Sequence, residues 1–182
     1  MPLRNTGQSF GAIARAFHWG MAILIVASLA LIELADVAPR GSGLRRALRD
    51  WHAQAGLVVL ALVWFRLAWR LGNPIPGIVP APPAWQRAAA HAVEWTFYAL
   101  MVVQPILGIV MMQADGKTVA LLGFALPAFA GVDKAWAHRL EDVHEVLGNT
   151  MMILIGVHVA ATLFHGKALR DNTLARMLGR NA

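Results

Sequence analysis

Four long apolar runs alternate with short polar stretches along the chain: roughly Ala16 to Leu34, Ala53 to Leu71, Val93 to Met112 and Val146 to Phe164. Each is near the ~20 residues that an α-helix needs to cross ~30 Å of hydrocarbon. The runs are rich in Ala, Leu and Met and lack the period-two alternation of a spanning strand, so helix is predicted for all four. The first reads as a span rather than a cleavable leader, because its apolar core is long and no small-residue cleavage motif precedes a soluble domain. The predicted fold is all-α, a four-transmembrane-helix bundle forming a single domain over residues 1–182.

The connections refine this picture. Gly72 to Trp85, "GNPIPGIVPAPPAW", carries Pro74, Pro76, Pro80, Pro82 and Pro83 and is predicted as an extended loop between the second and third spans. Val119 to Gly131, "VALLGFALPAFAG", is apolar but only ~13 residues long and broken by Pro127. It is too short to cross, so it lies at the interface or folds back over the bundle.

Composition agrees with a membrane protein, with 58% hydrophobic and 14% charged residues. The absence of cysteine excludes disulfides, iron–sulfur clusters, thiolate zinc sites and covalent c-type haem attachment. A net charge of +6 is scattered between apolar runs without a nucleic-acid motif. With both termini cytoplasmic, Arg4, Arg15, Arg66, Arg70, Arg87, Lys167, Arg170, Arg176 and Arg180 lie inside. Arg40, Arg45, Arg46, Arg49, Lys117, Lys134 and Arg139 then lie outside, and nine against seven is a weak positive-inside bias.

The chemistry sits in the histidines. His144 and His158 are 14 residues apart, which on a helix is ~21 Å of rise and within ~40° of one face. His18 opens the first span at the inner side and His52 opens the second at the outer side. Antiparallel neighbours therefore pair His52 with His144 near the outside and His18 with His158 near the inside. Two stacked imidazole pairs suit two six-coordinate b-type haems, each iron taking one axial nitrogen from each side. A zinc site fits poorly, because the pairs are ~21 Å apart and lack carboxylates at that depth. Arg66, 14 residues after His52, is placed at the inner level as a partner for haem propionates or as a snorkelling cation. Gly56 and Gly148, each one turn after a proposed ligand, leave room for a porphyrin or serve helix packing. His165 follows His158 by seven residues and lies near the same face at the inner boundary.

The stretches "FHWGMAILIVAS", "WHAQAGLVVLALVWFRLAWRLGNPIP", "HAVEWTFYALMVVQPILGIVMM", "FALPAF" and "HEVLGNTMMILIGVHVAATLFHG…DNTLARML" together resemble the bacterial cytochrome b561 family, from about Phe17 to Leu178. The resemblance implies a dihaem cytochrome of the bacterial inner membrane with axial ligands His18, His52, His144 and His158. It resembles in particular the member that passes electrons from superoxide at the outer face to ubiquinone, which implies an oxidoreductase. His165 matches a histidine placed near the quinone in that member, whereas Ala81 stands where a basic residue of the proline loop is expected. His91 and His138 are not ligands on this reading. The cluster "RRALRDWH", with Arg45, Arg46 and Arg49, is then expected to make the outer entrance positive and draw in an anion. Partners are the lipid bilayer, superoxide and the quinone pool, with no nucleic acid. The alternative is a haem-bearing anchor or electron-transfer subunit of a larger hydrogenase or formate dehydrogenase, whose outer loops would contact a protein.

Overall fold

The computed structural model describes residues 2–179; Arg180, counted above on the inner side, lies outside the described residues. Four long helices, α1 (Ala12–Val37), α2 (Gly43–Leu71), α3 (Ala84–Ala114) and α4 (Lys134–Phe164), each contain one of the apolar runs. All four are long and apolar enough to cross a membrane. They overrun the apolar stretches because polar caps extend them: the Ser42 side chain accepts from Arg45 N at the start of α2, and Asp133 does so from Trp136 N at the start of α4. Beyond α4 the chain makes a single π-helical turn, His165–Leu169, and then a short helix, α5 (Thr173–Leu178).

Neighbours in sequence pack together, α1 on α2, α2 on α3 and α3 on α4. Met21, Val59, Val63, Tyr98, Leu100, Met101 and Met151 form the buried centre, drawn from all four long helices. The backbone of α4 runs close to α3 and keeps its distance from α1 and α2. What reaches across that wider spacing is histidine.

Connecting segments, held by polar contacts, close both ends. At the end that holds the described termini, Asn5 donates to Pro74 O at 2.9 Å, and Gly77 N donates to Gly7 O at 3.1 Å. There Asn172 Oδ1 accepts from Val79 N at 2.8 Å, and Arg176 donates to Pro76 O. The start of the chain, the proline loop and α5 are thus tied into one cap. At the far end the apolar segment folds back as a small antiparallel hairpin, β1 (Ala120–Leu121) with β2 (Phe124–Ala125). Leu122 and Gly123 both take positive φ, 50° and 89°, as a two-residue hairpin turn requires. Gln54 holds the hairpin to the bundle: its Nε2 donates to Ala120 O at 2.7 Å and its Oε1 accepts from Leu122 N at 3.0 Å. Gln113 does the same for the following strand of loop, through Pro127 O and Phe129 N.

Candidate functional site

Four histidines from three helices meet in two pairs. The rings of His18 on α1 and His158 on α4 have centres 6.3 Å apart, and those of His52 on α2 and His144 on α4 have centres 6.2 Å apart. An imidazole nitrogen lies about 2 Å from a bound metal and about 1 Å from its own ring centre, so two rings sharing one iron stand about 6 Å apart. Both pairs fit that span, and both bridge the wider spacing between α4 and the α1–α2 pair.

Hydrogen bonds set the ring orientations. His52 Nδ1 lies 2.8 Å from the Ser28 carbonyl and 3.1 Å from its hydroxyl. Donation to that carbonyl puts the hydrogen on Nδ1 and leaves the lone pair on Nε2, the usual way the tautomer of a metal-binding histidine is fixed. Gln104 donates to the His144 carbonyl at 3.0 Å and fixes the α4 backbone at that level. Near His18, Arg66 Nε donates to the Tyr98 hydroxyl at 3.2 Å, and Arg66 Nη2 lies 3.3 Å from His18 Nδ1. That last contact needs an unprotonated Nδ1. Ligation through Nε2 would place a hydrogen there and turn the guanidinium toward another acceptor. A small cavity of about 70 Å³ beside this pair is lined by Phe17, His18, Arg66, Glu94 and Tyr98, among others.

The glycines divide. A methyl added at Gly56 would meet nothing within 4 Å, in keeping with room left beside His52. At Gly148 it would stand 3.3 Å from Gln104 Nε2, so this glycine lets α3 approach α4. Gly108, which the sequence did not single out, is the closer neighbour of His144, with 3.6 Å from such a methyl to the imidazole Cε1.

The end holding the described termini carries a second set of charged groups. Arg70 forms a two-point ion pair with Glu94, whose side chains are 16% and 31% exposed, and His91 lies 3.8 Å from the same carboxylate. Replacing Arg70 by Met strands a largely buried carboxylate and is expected to cost about 2 kcal/mol; replacing Glu94 by Leu as well should restore most of it. Thermal unfolding of the single and double variants in detergent measures this, and additive losses would show that the pair is not coupled. His165 Nδ1 lies 2.5 Å from Asp171 Oδ2, and that carboxylate is only 3% exposed. Burial alone would raise the Asp171 carboxyl, but hydrogen bonds from His165 and Thr173 outweigh it and hold the group below its usual range. The tie is at full strength at neutral pH and weakens as pH falls through that lowered value. The proline loop has Ala81 and no basic residue at that position, yet Arg176 of α5 reaches the loop and stacks on Phe10 with 5.4 Å to the ring centre.

At the far end the expected positive entrance is local. Arg45 and Arg49 both pair with Asp36, at 3.0 and 3.2 Å, while Arg46 donates to Gly41 O at 2.9 Å. Glu33, Asp36, Asp50, Asp115, Asp133, Glu141, Asp142 and Glu145 share that end with its seven basic residues, so it carries no general positive charge. Only the turn from α1 into α2, with Arg40, Arg45, Arg46 and Arg49 against Asp36 and Asp50, is net cationic. His138 points outward beside Glu141, its side chain 80% exposed.

Ser28, Gln104, Glu94 and Asp171 escaped the sequence reading. The first three are polar residues within or at the edge of apolar runs, where a polar group needs a partner, and that cost was the available signal. Asp171 gave none, since its partner is set by the π-helical turn.

Comparison with known proteins places this architecture. The family model described as prokaryotic cytochrome b561 matches residues 9–180. Cytochrome b561 homolog 1 of Escherichia coli (strain K12) is 34% identical over 90% of this chain and 93% of its own length. The probable superoxide oxidase CybB of Yersinia pestis is 30% identical over 94% and 96%, respectively. Cytochrome b561 homolog 2 of Escherichia coli (strain K12) is also 30% identical, over 100% of this chain and 97% of its own length. With four membrane-spanning helices and a family match over nearly its whole length, the chain belongs to the prokaryotic cytochrome b561 family of multi-pass bacterial membrane proteins, which transfer electrons by means of b-type haem.

Proposed function

We propose that the chain, as one cytochrome b561-type domain over residues 1–182, is a superoxide:ubiquinone oxidoreductase of the inner membrane. It would bind two b-type haems, with both termini in the cytoplasm. The observation that carries the reading is the pair of imidazole couples on α4, with ring centres 6.2 and 6.3 Å apart. His52 and His144 would hold the outer haem, and His18 and His158 the inner one. Arg66, 3.3 Å from His18 Nδ1, would meet the propionates of the inner haem. When bound, each haem supplies a one-electron carrier. The protein's own contribution is ligation, spacing and the field at each entrance. Arg45, Arg46 and Arg49 would draw superoxide toward the outer pair, and His165 would stand at the quinone. Two superoxide ions give up one electron each and leave as dioxygen; one quinone takes both electrons with two protons and leaves as quinol.

The 30% identity to a relative named as a probable superoxide oxidase supports superoxide as the electron donor. The test is the purified chain in detergent. It should contain two haems per chain by pyridine haemochrome assay, and superoxide should reduce them without any added protein. Two haems that superoxide does not reduce would favour the docking-subunit function, in which a partner protein delivers the electrons. Replacing His165 by Ala should keep both haems and slow reduction of a short-chain ubiquinone analogue about 10-fold or more, as loss of a proton-transfer group does. An unchanged rate would leave His165 with no part in quinone reduction.

A further inference from the structure

The contact between His165 and Asp171 is more than the cap at this end requires. Asp171 uses one carboxylate oxygen, Oδ1, to accept from Thr173 N at 2.9 Å, which forms the Asx turn leading into α5. An asparagine makes that turn equally well. The second oxygen, Oδ2, lies 2.5 Å from His165 Nδ1, and the carboxylate is almost wholly buried. The π-helical turn His165–Leu169 brings the two residues together across six positions, a spacing that a continuing α-helix would not close. Lys167 lies in this turn, Arg170 caps its end, and the charge of Arg176 on α5 interacts with those of Asp171 and Glu94. Hydrogen bonds from His165 and Thr173 hold the carboxylate ionised against the cost of burial, so it only accepts.

We infer that Asp171 is the positioning residue of His165: its ionised Oδ2 keeps the hydrogen of the neutral ring on Nδ1 and leaves Nε2 as the nitrogen that exchanges a proton with quinone. This rests on the reading of His165 as the quinone-side histidine. The neutral ring takes a proton from water at Nε2. It then passes that proton to one oxygen of the quinone as the electrons from two superoxide ions arrive, which forms one O–H bond and returns the ring to its starting tautomer; the second quinol proton comes from water. Asp171 stays ionised throughout and touches neither quinone nor haem, so its effect is exerted through the orientation and tautomer of one ring.

Replacing Asp171 by Asn tests this without removing the turn. Thr173 N–H requires an oxygen at the Oδ1 position, so the amide nitrogen must take the place of Oδ2. It then presents N–H to His165 Nδ1, which must become the acceptor, and the ring hydrogen moves to Nε2. The same substitution beside a catalytic imidazole lowers turnover steeply while geometry is preserved, because the tautomer is wrong. In haem-loaded protein labelled with ¹⁵N-histidine, the His165 signals, assigned by their loss in His165→Gln, should report Nδ1–H in the native protein and Nε2–H in Asp171→Asn at alkaline pH. Reduction of a short-chain ubiquinone analogue with superoxide as donor should fall about 10-fold or more. Asp171→Glu should recover much of that loss, and the haem spectra should stay native in both. Asp171→Asn should add no further loss to His165→Gln. The same tautomer in the native and Asn proteins, or a full additional loss in the double variant, overturns the inference. A switch of tautomer with unchanged quinone reduction in both single variants would instead remove His165 from quinone chemistry while leaving Asp171 as the residue that orients it.

Discussion

Alanine at His144 is expected to halve the haem content, from two per chain to one, and to leave the remaining haem low-spin with native spectra. The reason lies in the separation of the pairs. His144 and His158 are 14 residues apart on α4, about 21 Å along the helix, and between them the packed centre around Met21, Val59, Val63, Met101 and Met151 holds the four long helices together. Losing an imidazole at one end removes an iron ligand there and leaves that centre in place. His52→Ala should give the same phenotype, whereas His18→Ala and His158→Ala should each remove the other haem. Pyridine haemochrome assay with reduced-minus-oxidised spectra on each purified variant measures this. Loss of a haem in His91→Ala or His138→Ala, with none in His144→Ala, would refute the assignment.

Superoxide-driven haem reduction is expected to fall several-fold, up to about 10-fold, when Arg45, Arg46 and Arg49 are all replaced by Gln, and to fall in the same direction on adding salt. The ion pairs shape the size and sign of related changes. Asp36 offsets two of the three arginines, so Asp36→Asn should speed the reaction where the arginine replacements slow it. The other acids at this end make the attraction short-ranged, and most of the salt effect should come from the turn between α1 and α2. Stopped-flow haem reduction by a superoxide pulse at two ionic strengths separates these contributions. A rate indifferent to salt, to the Gln replacements and to Asp36→Asn would mean that no local field guides the donor.

Much of this was legible from patterning. The four spans follow from run length, and the pairing of His52 with His144 and His18 with His158 follows from helical rise and antiparallel order, because both are properties of single helices added together. Where a contact depends on irregular backbone, the pattern fell silent. Asp171 meets His165 only through a π-helical turn, and nothing in "HGKALRD" announces one. Gln54 clamps a hairpin 66 residues away, a distance at which no local periodicity operates. The arginine cluster was legible as charge but not as field. Asp36 belongs to the end of α1, and its pairing with Arg45 and Arg49 appears only when the turn between the helices is built. Gly148 shows the same limit, since its small size was evident and the neighbour it admits, Gln104, was not.

The cap that joins the proline loop to α5 has a consequence for synthesis. Arg176 and the Pro76 carbonyl that it binds are 100 residues apart. At a translation rate of about 5–20 residues per second, the loop therefore leaves the ribosome about 5–20 s before its partner exists. During that interval the Val79 amide and the Pro76 carbonyl must be served by water or by the insertion machinery, although α1 and α2 are already available to pair. This face of the bundle is completed after the opposite one has begun to form. A stall before Asn172 would release a chain that holds its four spans in the membrane and lacks the closed cap at this end, a form that membrane quality control could recognise by its exposed proline loop.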